Sequence, residues 1–175
     1  MMVWERESGI LKKLLITPAS RYSMVVGRSM ASGVRAIFQA IIIIPVAILI
    51  GVSFYLNAIF IVAAFVVIFF SSGGFAALSI IVASFLKTRE RFMGIGQAII
   101  MPLFFASNAL YPTSVMPPLL QEFSSVNPMS YVVDAVRGLM ITGNISTLPV
   151  DIFALVLFDI VLFALASVSF RKIIQ

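Results

Sequence analysis

Residues 58–86 read AIFIVAAFVVIFFSSGGFAALSIIVASFL, without one charged side chain. A run of about 18 or more apolar residues is long enough to cross the hydrocarbon core of a bilayer. No strict two-residue alternation runs through it, so the period favours helix over barrel strand. The same reading extends outward. Candidate spans fall at about Ala36–Leu56, containing Gln39, Pro45 and Gly51, at Ala58–Leu86, at Gly94–Leu110 with Pro102, and at Ile152–Phe170. The second is long enough to be tilted, or broken near Ser71-Ser72-Gly73-Gly74. Composition agrees: of 175 residues 61% are hydrophobic and 11% charged, against about 25% charged in a soluble domain. The expected fold is an all-α polytopic membrane protein with about four transmembrane helices, an N-terminal cytoplasmic amphipathic helix and short external re-entrant helices.

Charge placement gives an orientation. Arg6, Lys12, Lys13, Arg21, Arg28 and Arg35 precede the first span, and the turn around Asn57 is uncharged. Lys87, Arg89 and Arg91 stand beside Glu90 in the next connection; Glu122, Asp134 and Asp151 outnumber Arg137 between residues 111 and 151; Arg171 and Lys172 close the chain. Basic excess therefore alternates with each crossing, and the positive-inside rule puts both termini in the cytoplasm of a multi-pass cell-membrane protein. The chain divides as 1–35, a cytoplasmic helical region entering the first span; 36–110, three spans; 111–149, an external segment; and 150–175, the last span and a basic tail.

Several functions are excluded. The chain has no histidine and no cysteine, which removes a Ser-His protease, a His-ligated zinc site and thiol chemistry. No G-x-x-x-x-G-K-[ST] motif occurs, so no P-loop can form here. The net charge of +5 needs no nucleic acid, because basic loops beside anionic lipid account for it. Residues 1–20 are too polar for the apolar core of a secretory signal peptide. No low-complexity tract or internal repeat stands out.

Two polar stretches carry more specific information. In the first, Trp4, Leu11, Leu14 and Leu15 share one side of a helix, opposite Arg6, Gly9 and Lys13, and Thr17-Pro18 reads as a stop and a new start. This is an interfacial helix or a docking helix for a cytoplasmic partner. Downstream, Arg21, Arg28 and Arg35 recur every seven residues, beside a small-residue row Ser23, Gly27, Ala31 suited to close helix approach. The arginines snorkel to headgroups or meet acidic groups of a partner. The Gly94-x-Gly96 pair reads as a helix-packing feature.

The second stretch is YPTSVMPPLLQEFSSVNPMSYVVDAVRGL, residues 111–139. Pro117-Pro118 can open a short helix through Phe123, and Asn127 can cap another with Pro128 in first position. In that helix Met129, Val132, Val133, Val136 and Met140 share a face, Asp134 and Arg137 can pair, and Gly143-Asn144 ends it. The result is a pair of re-entrant or lid helices, or a stiff loop packed over the bundle. Asp159 is the acidic residue well inside a predicted span, in its outer half. It serves as a substrate or proton site on the path, or as a structural group hydrogen-bonded to Ser or Gln. Pro45, Pro102 and the Ser-Ser-Gly-Gly run read as kinks and packing points.

The spacing of Pro112, Pro117, Asn127, Pro128, Tyr131, Asp134 and Arg137 resembles the external segment before the last span in permeases of the ABC-2 class. WERESGILKKLLITPASRYSMVVGR, residues 4–28, is similar to their cytoplasmic loop between the second and third spans. The resemblance implies a permease subunit of an ATP-driven exporter, not itself an enzyme. It implies a coupling helix at Glu5, Glu7, Gly9, Leu11, Leu14, Leu15, Thr17 and Pro18 that docks a separate ATPase, and an external gate at the residues just named. ATP and Mg would then sit on the partner ATPase, with no cofactor on this chain. A second permease copy, membrane lipid and an amphipathic substrate (drug, lipid or glycan) complete the expected partners. Six spans are usual in that family, so the chain corresponds to the part that lacks the first two. A proton-coupled secondary carrier centred on Asp159 and a non-transporting membrane scaffold are the rival readings.

Overall fold

The computed structural model describes residues 21–86 and 88–173. Helix α1 spans Arg21–Leu49, α2 Ala58–Phe85 and α3 Arg89–Phe105. A 3-10 turn at Thr113–Val115 leads to α4, Pro118–Val126, and α5, Pro128–Arg137. A π turn, Gly138–Thr142, extends α5, and α6 spans Leu148–Ile173. Every one of these elements is helical, as an all-α membrane protein requires.

Among the described residues three helices are long and apolar enough to cross a membrane: Ser23–Leu49, Ala58–Phe85 and Leu148–Ser169. The expected first span is displaced toward the N-terminus. It stops at Leu49 because Gly51, with φ of 96°, closes a left-handed cap there. The amides of Gly51 and Val52 donate to Ile48 O and Ala47 O, each at 3.0 Å, the paired bonds of a Schellman motif. Pro45 lies inside α1 without ending it. The expected third span is also corrected. Its helix α3 has 17 residues, about 25 Å at 1.5 Å per residue, and carries Arg89, Glu90 and Arg91 in its first turn. It therefore falls short of the other three, and residues 106–110 lie outside it.

The central element is α2, packed on both α1 and α6. Its 28 residues form one continuous helix, so the Ser-Ser-Gly-Gly run does not break it. The run is a packing point. A Cβ on Gly73 would lie 3.7 Å from Ser29 Cβ and 3.8 Å from Phe163 Cζ, and one on Gly74 would overlap the Asp159 carboxylate. Backbone thus approaches both neighbouring helices where lipid offers no hydrophobic drive for association.

Two buried clusters define the ends. Val25, Ala77, Ile80, Ala83, Leu162 and Ala166 pack with Phe92 at the end where α1 and α3 begin, called here the basic end. Ala64, Val67, Ala135, Leu139, Met140 and Leu155 pack with Ile44, Phe54 and Phe60 at the opposite, segment end. Accordingly α2 and α6 run in one direction and α1 and α3 in the other. Helix α3 buries none of its residues, and a groove of about 250 Å³ separates it from α2. A Cβ on Gly94 or Gly96 would meet no heavy atom of the described residues within 4 Å, so their expected packing role is not realised among those residues.

The small-residue row on α1 also needs correction. Ser23, Gly27 and Ala31 are exposed, whereas Val25, Ser29 and Gly33 are buried. The packed row lies two positions on, because Gly33 is what lets the Phe69 ring of α2 approach: a Cβ there would lie 2.5 Å from Phe69 Cδ2. Both glycines occupy the same helix, so alanine offers each the same local gain of about 1 kcal/mol. Gly33→Ala is expected to lower stability by about 1–3 kcal/mol through overpacking, while Gly27→Ala leaves it unchanged or raises it. Thermal unfolding of the two variants in detergent measures the difference; equal behaviour would reject the α1–α2 contact.

Candidate functional site

The site is built where α3 ends. The last carbonyls of a helix have no partners within it, and in lipid each unpaired group costs several kcal/mol. Pro102 sits in the last turn of α3, and Ala106 N–H closes back on Pro102 O at 2.9 Å. Side chains satisfy the carbonyls that follow. Asn127 Nδ2 donates to Leu103 O at 2.7 Å, Ser107 Oγ to Phe104 O at 2.7 Å, and Tyr111 O–H to Phe105 O at 3.0 Å.

Asn127 joins two elements. It is fully buried, at 1% exposure. While its Nδ2 holds α3, its Oδ1 accepts the Met129 amide at 3.0 Å and caps α5. Pro128 occupies the first position of α5, where the missing N–H costs nothing. Pro118 does the same for α4, with Pro117 as its cap residue. Pro112 precedes the 3-10 turn and accepts the Val115 amide through its carbonyl.

The polar face of α5 completes the latch. Arg137 Nη2 donates to Asn108 O at 2.8 Å, and Asn108 Nδ2 donates to Asp134 Oδ1 at 2.5 Å. Asp134 and Arg137 pair at 3.7 Å, with side chains 40% and 39% exposed, so solvent screening holds that ion pair itself to about 0–1 kcal/mol. Their bonds to the turn at Asn108 matter more. Tyr131 O–H donates to Ser125 O across the α4–α5 corner, and Ser124 Oγ bonds Ser130 Oγ at 3.0 Å, buried. A shallow polar depression of about 450 Å³ lies along this corner, lined by Thr113, Gln121, Ser124, Ser130, Tyr131 and Asp134.

The expected gate residues therefore tie α5 to its neighbours by separate bonds, Asn127 to α3, Tyr131 to α4, and Asp134 and Arg137 to the turn at Asn108, and Pro112, Pro117 and Pro128 shape the backbone around them. The apolar face of α5 is only partly as expected. Val132, Val136 and Met140 pack into the segment-end cluster, joined by Tyr131, Ala135 and Leu139, whereas Met129 and Val133 do not. Helix α5 runs on through the π turn to the expected end. Gly143, with φ of 68°, then ends it in the left-handed region. Tyr55 N–H donates to Met140 O in that turn at 2.8 Å, tying the α1–α2 loop to the latch.

Ser107 and Asn108 were missed because an apolar count runs the third span through them. Both are buried, at 0% and 5% exposure. Their signal was a Ser-Asn pair a few residues after a helix proline, where carbonyls need partners.

Asp159 lies near the middle of α6, between the two clusters, and not with the latch. Its neighbours in a small cleft of about 110 Å³ include Val66, Phe70, Ser71, Leu155 and Val156. Its Oδ1 is buried without a hydrogen-bond partner, so the expected bond from Ser or Gln is not made at that oxygen. Arg28 and Arg35 share a second cleft, at the basic end. The expected docking residues Glu5, Glu7, Gly9, Leu11, Leu14, Leu15, Thr17 and Pro18 lie outside the described residues. Among the described residues no group of His, Cys, Asp or Glu could hold a metal ion.

If Asn127 is the joint between α3 and α5, Asn127→Ala removes a cap worth about 1 kcal/mol and strands a buried carbonyl at about 1–3 kcal/mol. Asn127→Asp keeps the capping oxygen, loses the donor to Leu103 and does not restore stability. Ser125→Ala, at an exposed position, serves as control in the same thermal unfolding series. Wild-type stability in Asn127→Ala would show that the joint carries no energy.

Residues 1–141 match the family model described as ABC-2 type transporter. A transport permease, ycf38, of Cyanophora paradoxa is 30% identical over 139 residues, covering 79% of this chain and 48% of that protein. Nodulation protein J of Rhizobium leguminosarum bv. viciae is 23% identical over 159 residues, 91% of this chain and 60% of that protein. The doxorubicin resistance ABC transporter permease protein DrrC of Mycobacterium tuberculosis is 23% identical over 145 residues, 81% of this chain and 51% of that protein. The chain thus spans about half the length of the ycf38 relatives it matches. No solved structure matches it.

Proposed function

The chain belongs to the ABC-2 type transporter family, and from that premise we propose that it is a membrane-spanning permease subunit of an ATP-driven exporter. A separate ATPase, carrying ATP and Mg, docks on the amphipathic stretch containing Glu5, Glu7, Gly9, Leu11, Leu14, Leu15, Thr17 and Pro18. A second permease copy completes the path. The observation that carries the reading is the extent of the family match: it runs unbroken from that stretch to the π turn behind the latch. The absence of a P-loop motif from these residues supports placing hydrolysis on a partner. ATP-driven movement of the docked stretch is passed to α1, and the bundle rocks. The latch, fixed to α3 at its tip, moves with that helix and opens the segment end. The substrate is amphipathic; the drug-resistance name of the mycobacterial relative supports that class.

The alternative of a proton-coupled carrier is favoured by one observation, the unpaired Asp159 Oδ1 inside the bundle. Export that persists without ATP and collapses with the proton gradient would select it.

Two experiments test the proposal. Leu11→Asp charges the apolar side of the amphipathic stretch and Gly9→Trp crowds the other. Each is expected to reduce co-purification of the ATPase several-fold while the permease stays in the membrane. Unchanged recovery with both would return the stretch to an interfacial role. Orientation is tested with single cysteines at Thr88 and Ser125, both exposed, and a membrane-impermeant thiol reagent on intact cells. The alternation of basic charge predicts labelling at Ser125 and none at Thr88, and the reverse pattern would invert the topology.

A further inference from the structure

A cleft of about 270 Å³ opens between α1, α2 and the start of α3 at the basic end, lined by Arg28, Ser32, Arg35, Ser79, Ile80 and Phe92 among others. We propose that it is a binding site for the phosphate headgroup of an anionic phospholipid, independent of ATPase docking and of the transported substrate.

The argument begins with depth. Helix α1 has 29 residues, about 43 Å, longer than the roughly 30 Å hydrocarbon core. With Leu49 at one face of the core, the other face falls near residue 30. Arg28 then stands at the headgroup boundary, and Arg35 more than a turn inside it. A guanidinium that deep is costly in lipid and persists where water or a paired anion meets it. Arg35 is exposed rather than packed away, and the cleft supplies what it faces.

Chemistry narrows the occupant. Arg28 and Arg35 are seven residues apart on one face, with Ser32 between them and Ser79 opposite on α2. Guanidinium forks bind phosphate oxygens with two parallel bonds, and hydroxyls add single donors. No acidic side chain lines the cleft among the described residues. The remaining wall is apolar: Ala76, Ile80, Ala83 and Phe92. A free anion would leave that wall to water, whereas a phospholipid covers it with its acyl chains while its phosphate meets Arg35. Basic pockets between spans at a membrane face are suited to such headgroups.

The test is native mass spectrometry of the purified full chain titrated with dioleoylphosphatidylglycerol, and separately with dioleoylphosphatidylcholine. Arg35→Gln is expected to weaken phosphatidylglycerol binding about tenfold, the loss of one charge-assisted two-pronged contact, and to weaken phosphatidylcholine, whose choline already neutralises its phosphate, less. Arg91→Gln removes an equal charge from the first turn of α3, outside the cleft, and is expected to change neither. Arg35→Lys keeps the charge without the fork and should fall between wild type and Arg35→Gln, which keeps the test valid if the glutamine variant fails to fold. Equal weakening by Arg91→Gln, or full affinity in Arg35→Lys, would show diffuse attraction and overturn the site. Displacement of the lipid by an equimolar amount of inorganic phosphate would overturn the lipid assignment in favour of a free anion. Unaltered lipid binding with loss of ATPase co-purification in Arg35→Gln would assign the cleft to the partner protein.

Discussion

Asn127 holds the end of one helix and the start of another with a single amide. The constraint behind it is general: backbone groups cannot go unpaired in a bilayer, and helix ends leave carbonyls without intrahelical partners. Helix α3 is short and buries none of its residues, so side-chain packing along its length cannot fix its position. The Asn127 bond to Leu103 does so at its tip, together with the bonds of Arg137 and Asp134 to Asn108 just beyond it. The buried Ser124–Ser130 contact and the Arg137–Asn108–Asp134 chain depend on the same corner. An apolar residue at position 127 would leave the Leu103 carbonyl unpaired and remove the direct bond between α3 and the start of α5.

The second constraint is close approach in the middle of the bundle. Apolar side chains gain little by leaving lipid for one another, so helix association here rests on fit. Gly73, Gly74 and Gly33 provide that fit for α6 and α1 around α2. Asp159 occupies the space that Gly74 leaves, which gives a mid-bundle carboxylate a place without requiring it to line a path. The bundle therefore has a tightly packed centre, a hydrogen-bonded cap at one end and an arginine-lined cleft at the other. A movement entering at α1 reaches α2 and α6 through packed contacts, whereas it reaches α3 mainly at its ends.

Much of the latch was legible before the fold was known. Proline at the first position of a helix and asparagine as a cap act locally, so Pro118, Asn127 and Pro128 mark helix starts wherever the chain goes. The i,i+3 pairing of Asp134 and Arg137 follows from helix geometry alone. Which face of α5 is buried did not follow, because an amphipathic stripe on so short a helix rotates to suit what it meets. The row on α1 shows the same limit. Ser23, Gly27, Ala31 and Val25, Ser29, Gly33 are both small rows at four-residue spacing, and the Phe69 ring selects the second.

The sequence by itself determined the solvent of this protein, its helical class, the positions of its caps and the alternation of its basic charge. Each of these depends on composition or on residues a few positions apart. Only the tertiary structure decided what holds the end of α3, that the Ser-Ser-Gly-Gly run is a contact and not a break, and that Ser107 and Asn108 belong to the latch. Those outcomes depend on partners distant in the chain. Asn127 reaches Leu103 and Arg137 reaches Asn108 only after α3 and α5 have been brought together, and no local spacing encodes that meeting.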